Sequence, residues 1–179
     1  MVRFLDKSIG ILGGSFDPPH KGHLAISKIA IKKVNLNKVL WIITKKNPFK
    51  GKTFYSLSRR IDKAKKLTRK TKKIQVVHLD KTIGSSRSIN AIKYLIYKKK
   101  LKNIYFIIGS DNLIKFHKWK SWKKIVELIN LIVFSRSGYD RKGKKSIVAK
   151  YLKNKIIFIK NKPIKISSTK LRNKIRKNY

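Results

Sequence analysis

Cysteine is absent from this 179-residue chain, and acidic residues nearly so, with seven Asp and Glu set against 48 Lys and Arg. The first absence excludes disulfides, thiolate metal sites and a cysteine nucleophile, and fits a reducing compartment. The second leaves a formal net charge of +41, which directs attention to nucleic acid or an anionic membrane surface. Lysine is nevertheless spread through almost every segment, with abundant Ile and Asn beside it, a mixture that an AT-rich coding sequence produces with no partner in view. A diffuse basic surface of that kind speaks to solubility and non-specific binding. Long apolar runs are missing too: none approaches the roughly 18 residues of a membrane helix, and the opening "MVRFLDKSIGILGG" lacks the apolar core of a signal peptide. These absences lead us to expect a soluble cytoplasmic protein without a membrane partner, and the length suits one domain over 1–179.

What is present is a regular alternation. Short apolar runs recur at 9–12 (IGIL), 39–44 (VLWIIT), 74–78 (IQVVH), 104–109 (IYFIIG), 131–135 (LIVFS) and 156–159 (IIFI). Continuous β-branched and aromatic runs of this length suit strands covered on both faces of a parallel sheet. Between them, Ile26, Ile29, Ala30 and Val34 share a helical face, as do Leu57, Ile61, Ala64 and Leu67, and again Ile89, Ile92 and Ile96. The order predicts an α/β, Rossmann-like, doubly wound parallel sheet with helices on both faces and its ligand beyond the carboxyl ends of the strands. The stretch "SGYDRKGKKS" at 137–146 reads as a loose polar loop.

The first strand runs into "GGSFDPPHKGH" at 13–23, which holds two of the four histidines. Gly13 and Gly14 admit close approach of backbone N–H groups of residues 13–16, and a helix starting near Gly22 directs its positive end at the same space. His20 and His23, three apart around that start, can both face the pocket and clamp negative charge at a phosphorus centre. Taken alone, such histidines equally well cap the helix or pack beneath it.

The whole string resembles the G-G-[ST]-F-D-P-x-H-x-G-H signature of the nucleotidyltransferases related to class I aminoacyl-tRNA synthetases, and matches it at every fixed position. That resemblance implies that Gly13, Gly14, Ser15 and Phe16 bind ATP and that His20 and His23 are catalytic. The block "GSDNLIKFHKWKSWKKI" at 109–125 is similar to one found in bacterial nicotinate-nucleotide adenylyltransferases. By this likeness Asp111 lies at the adenosine ribose, Trp119 stacks on the pyridine ring, and the N–H of Lys120 meets the nicotinate carboxylate. As plain structure, Asp111 could cap a helix and Trp119 or Trp122 could be core, with core favoured for Trp122. The segment "SSTKLR" at 167–172 resembles the one that closes over the ATP phosphates, implicating Ser168, Thr169 and Arg172; an N-cap accounts for the serines equally well, but not for the arginine.

Further matches concern the acceptor. Lys50, ending "KKNPFK", stands where the family offers a lysine to the mononucleotide phosphate, with Phe49 in place of a common histidine. Arg136 stands where the family carries an arginine near the nucleotide. In "GSSRSINAI" at 84–92, Ser88 keeps a hydroxyl by the nicotinate pocket, while Asn90 and Ala91 replace the family's acid and threonine. The implied reaction joins nicotinate mononucleotide to the adenylyl group of ATP, with Mg²⁺ held mainly by the phosphates and no protein metal site. Two alternatives stand beside it: a related transferase using nicotinamide mononucleotide or another phosphate acceptor, and a basic nucleic-acid-binding module. Specific nucleic-acid recognition is not expected, since no clustered base-reading motif stands out; oligomeric state is not readable from the residues.

Overall fold

The computed structural model describes residues 8–45, 51–162, 164 and 166–177. Six strands form one parallel sheet: β1 (Ile9–Gly14), β2 (Lys38–Ile43), β3 (Ile74–Val77), β4 (Ile104–Gly109), β5 (Asn130–Phe134) and β6 (Ile156–Ile159), in the order β3-β2-β1-β4-β5-β6. Each coincides with an apolar run of the sequence to within a residue or two. The runs are continuous because both faces are buried. Ile9, Ile11, Leu40, Ile42, Phe106, Ile108, Leu131 and Val133 point into one core, and Leu12, Val39, Trp41, Ile43, Ile107, Ile132 and Phe134 into the other. This two-residue alternation between cores is the doubly wound arrangement.

Helices α1 (Lys21–Lys33) and α2 (Leu57–Thr68) cover the second core through Ala30 and Ala64. On the opposite face, α3 (Asp80–Ile83) leads into α4 (Ser88–Lys93), which continues as a π-helical turn over Tyr94–Lys98. There α4, α5 (Ser110–Lys115) and α6 (Trp122–Leu128) bury Ile89, Ile92, Leu113 and Ile125. Two short helices, α7 (Asp140–Lys144) and α8 (Ile147–Leu152), precede β6, and α9 (Ser168–Arg176) ends the described chain. The segment 137–146 is therefore not a loose loop. Its helix α7 is held by a tertiary hydrogen bond from Ser110 to Asp140, 30 residues away, with a local one from the Arg136 N–H, and local sequence periodicity carries no trace of the first. Among the described residues no helix is long and apolar enough to cross a membrane.

Candidate active site

The sheet opens at its centre. β1 pairs with β2 along its whole length, to Gly14 beside Ile43, and β4 pairs with β5 to Gly109 beside Phe134. Between β1 and β4, however, pairing runs from Ile9 beside Ile104 to Ile11 beside Phe106 and goes no further. The two central strands thus separate over their last three residues. This is the strand-order reversal where doubly wound sheets hold ligands, and Gly13–Gly14 form one wall of the crevice while Gly109–Asp111 form the other.

On the first wall the chain leaves β1 through Ser15, through Phe16 at a φ of 48°, and through a cis Asp17–Pro18 peptide. His20 is the N-cap of α1, and the two histidines complete the cap between them. The Gly22 N–H donates to His20 Nδ1 at 3.1 Å, and the His20 N–H donates to His23 Nδ1 at 3.2 Å. Their rings lie 3.8 Å apart, and His23 rests on Phe16, which stacks on buried Trp41 at 5.0 Å. Trp41 Nε1 in turn donates to Ser27, whose hydroxyl donates to the His23 carbonyl. Gly22 is required here, because a Cβ would stand 2.8 Å from His20 Nδ1 and 2.9 Å from Ile164.

The cap decides the protonation of both rings. An Nδ1 that accepts a backbone N–H carries no proton, so each neutral imidazole keeps its proton on Nε2 as a donor. Burial, and secondarily the charge of Arg136, lowers the pKa of His20 from 6.5 to about 4, so this ring is a neutral donor at physiological pH. The sequence predicts the positive end of a helix at this space. In the structure the Gly22 N–H is taken by His20, and the His23 N–H donates to the His20 carbonyl. The helix contributes its dipole there, and the imidazoles relay the donors.

On the second wall, Gly109 lets Asp111 fold back beneath it, since a Cβ would lie 2.5 Å from Asp111 Oδ1. That oxygen is buried with no hydrogen-bond partner, while Oδ2 faces the half-exposed Arg136 guanidinium at 3.6 Å. A buried acceptor left unpaired costs about 1–3 kcal/mol, which a donor arriving from solution would recover. Trp119 is half-buried, stacked on Phe116 at 4.7 Å and edge-on to Phe106 at 5.9 Å, and Lys120 beside it is exposed. Trp122 is likewise half-buried, packing against the core and edge-on to Tyr151.

The C-terminal helix meets the first wall. Ser167 is its N-cap, accepting the Lys170 N–H, so the cap reading holds for that serine. Ser168 instead donates to the Pro18 carbonyl at 2.9 Å, and Arg172 donates to the Asp17 carbonyl at 2.5 Å and to Thr169 at 3.2 Å. Ser88 is the first residue of α4, with Asn90 and Ala91 following within the helix. Lys50 and Phe49 lie outside the described residues.

Several residues that frame the crevice escaped the sequence reading. Buried Asp17 accepts the N–H groups of Phe54 and Tyr55 at 2.7 and 2.9 Å. Arg60, 1% exposed, donates to the carbonyls of Ser15, Thr44, Lys45 and Tyr55, so one guanidinium joins the ends of β1 and β2 to the start of α2. Burial lowers its pKa, a tendency opposed by the charges of Asp17 and Asp80. Asp80 accepts the Lys45 N–H at 2.7 Å and the Ser86 hydroxyl, and Asp140 gathers Ser110, Ser135 and the Arg136 N–H. Their signal was rarity in the case of the acids. Arg60, one cation among 48, had none.

The model of the cytidylyltransferase-like family matches residues 11–174, and the chain belongs to this class of nucleotidyltransferases. Within it the chain belongs to the nicotinate-nucleotide adenylyltransferases. A probable nicotinate-nucleotide adenylyltransferase of Pelagibacter ubique is 48% identical over 165 residues, 92% of this chain and 91% of that protein. One from Clostridium novyi is 37% identical over 95% of this chain and 88% of its own length. In fold, the chain resembles the Plasmodium falciparum nicotinic acid mononucleotide adenylyltransferase complexed with NaAD, with a TM-score of 0.74 at 19% identity, covering 93% of this chain and 83% of that one.

Proposed function

We infer that the chain transfers the adenylyl group of ATP to the 5′-phosphate of nicotinate mononucleotide, releasing pyrophosphate and forming deamido-NAD for NAD biosynthesis. The observation that carries this reading is the split between β1 and β4, with two mutually capped histidines on one wall and an unpaired carboxylate oxygen on the other. A phosphate oxygen of the mononucleotide attacks the α-phosphorus of ATP, and the bond from that phosphorus to the bridging oxygen breaks as pyrophosphate leaves. The attacking group is already an anion, so no side-chain nucleophile is needed; positioning and charge stabilisation supply the acceleration.

In this reading His20 and His23 donate from Nε2 to the α-phosphate oxygens, and the amides of Gly13, Gly14, Ser15 and Phe16 cradle the same group. The Oδ1 of Asp111 accepts a ribose hydroxyl of the nucleotide. Ser168, Thr169 and Arg172 move with α9 from the Asp17–Pro18 turn to the departing phosphates. Trp119 orders the pyridine, Lys120 and Ser88 border it, Lys50 offers its charge to the mononucleotide phosphate, and Arg136 lies near the nucleotide. Among the described residues no group of three or more His, Cys, Asp or Glu could hold a metal. Mg²⁺, if bound through ATP phosphates and water, would supply neutralisation of phosphate charge. Use of ATP supports a cytoplasmic site of action.

The test is pyrophosphate release with ATP and Mg²⁺, run in parallel on nicotinate and nicotinamide mononucleotides. Preference for the acid is expected. Preference for the amide would keep the chemistry and overturn the substrate. Release with neither would overturn the reading.

A further inference from the structure

In a chain with seven acids, where each one sits carries information. Four of them follow the carboxyl ends of strands: Asp17 after β1, Asp80 after β3, Asp111 after β4 and Asp140 after β5. Asp111 is assigned above to the nucleotide. Asp140, the first residue of α7, takes hydrogen bonds from three residues, Ser110, Ser135 and Arg136.

Its Oδ1 accepts the Ser110 hydroxyl at 2.7 Å and the Arg136 N–H at 2.8 Å, and its Oδ2 accepts the Ser135 hydroxyl. The Ser110 oxygen accepts the same Arg136 N–H at 3.1 Å. The knot therefore ties the residue before Asp111 to the backbone of Arg136, and Asp111 and Arg136 form the ion pair on the second wall. The packing is close: a Cβ at Gly143 of α7 would stand 3.2 Å from both Cβ and O of Ser110. Burial works against the charge on Asp140, but the bonds from Ser135, Arg136 and Ser110, with Lys144 nearby, hold the carboxyl below its usual range. It is thus the ionised form that makes the knot.

We propose that Asp140 is a positioning residue for the nucleotide half of the reaction, setting the spacing of Asp111 and Arg136 through Ser110, Ser135 and the backbone of Arg136. It touches neither substrate. The proposal rests on the reading that Asp111 and Arg136 serve the nucleotide.

The experiment measures KM for ATP and for nicotinate mononucleotide separately, with melting temperature, in wild type, Asp140→Asn, Asp140→Ala, Asp111→Ala and the exposed control Asp62→Asn. Asp140→Ala is expected to raise the KM for ATP by about 10-fold or more while that for the mononucleotide stays within about two-fold, since a misplacement of about 1 Å from a remote change can cost as much as about 10²-fold. Asp140→Asn keeps the shape and one acceptor, and is expected to show a smaller rise in the same KM. A folded Asp140→Asn with unchanged KM for ATP, or equal changes in both KM values, would overturn the positioning role. If Asp111→Ala itself leaves the KM for ATP unchanged, it is the underlying assignment that fails.

Discussion

Two imidazoles in this turn act through the same atom. Because Nδ1 of His20 accepts from Gly22 and Nδ1 of His23 accepts from His20, protonating either Nδ1 would break the cap that places the ring. The helix start and the proposed donation from Nε2 therefore demand the same tautomer. With its pKa lowered to about 4 by burial and then by Arg136, His20 favours the neutral form when folded. In the unfolded chain it titrates near the ordinary value of about 6.5. Its contribution to stability is thus full above pH 6.5 or so and is lost as pH falls through the window down to about 4. Nitrogen-resolved NMR should find the His20 ring protonated on Nε2 at neutral pH and titrating near 4, with Arg136→Ala moving that value upward. A His20 titration at its ordinary value would contradict the buried, cap-bound ring.

Among the elements, the six strands were visible in the sequence because they are buried on both faces, so each reads as an unbroken apolar run. The histidine turn was visible because its constraints are local: the His-x-Gly-His spacing places both rings around one helix start, and Gly22 leaves room for them. The second wall was visible only in part. Gly109 and Asp111 stand close together in sequence, whereas α7 owes its form to bonds spanning as many as 30 positions. Arg60 is hidden for the same reason, its Ser15 partner lying 45 residues away. Helix α9 differs from all of these in that it buries no residue and docks through polar contacts from Ser168 and Arg172. Elements with few buried apolar contacts open at low free energy. Amide exchange in α9 should be faster than in β1 and β4, and should slow when ATP is added; exchange that is slow at the outset, or indifferent to ATP, would contradict its closing over the nucleotide.

At the scale of the whole molecule, a charge of +41 surrounds a site whose substrates are all anions. Distributed charge raises the local concentration of such ligands and is screened beyond about 10 Å at 0.1 M salt. In the proposed reading, selecting among anions falls to the crevice at the centre of the sheet, where the last residues of β1 and β4 stand apart. The most direct test is a single-turnover experiment with ATP labelled at the α-phosphate, mixed with nicotinate mononucleotide and Mg²⁺ and quenched over time, for wild type, His20→Ala and His23→Ala. Label should pass into the dinucleotide, with each substitution slowing the step by about 10²-fold or more, as for loss of a transition-state donor. Transfer at an undiminished rate by the folded variants, or no label in the dinucleotide with the wild type, would contradict adenylyl transfer by the two-histidine turn.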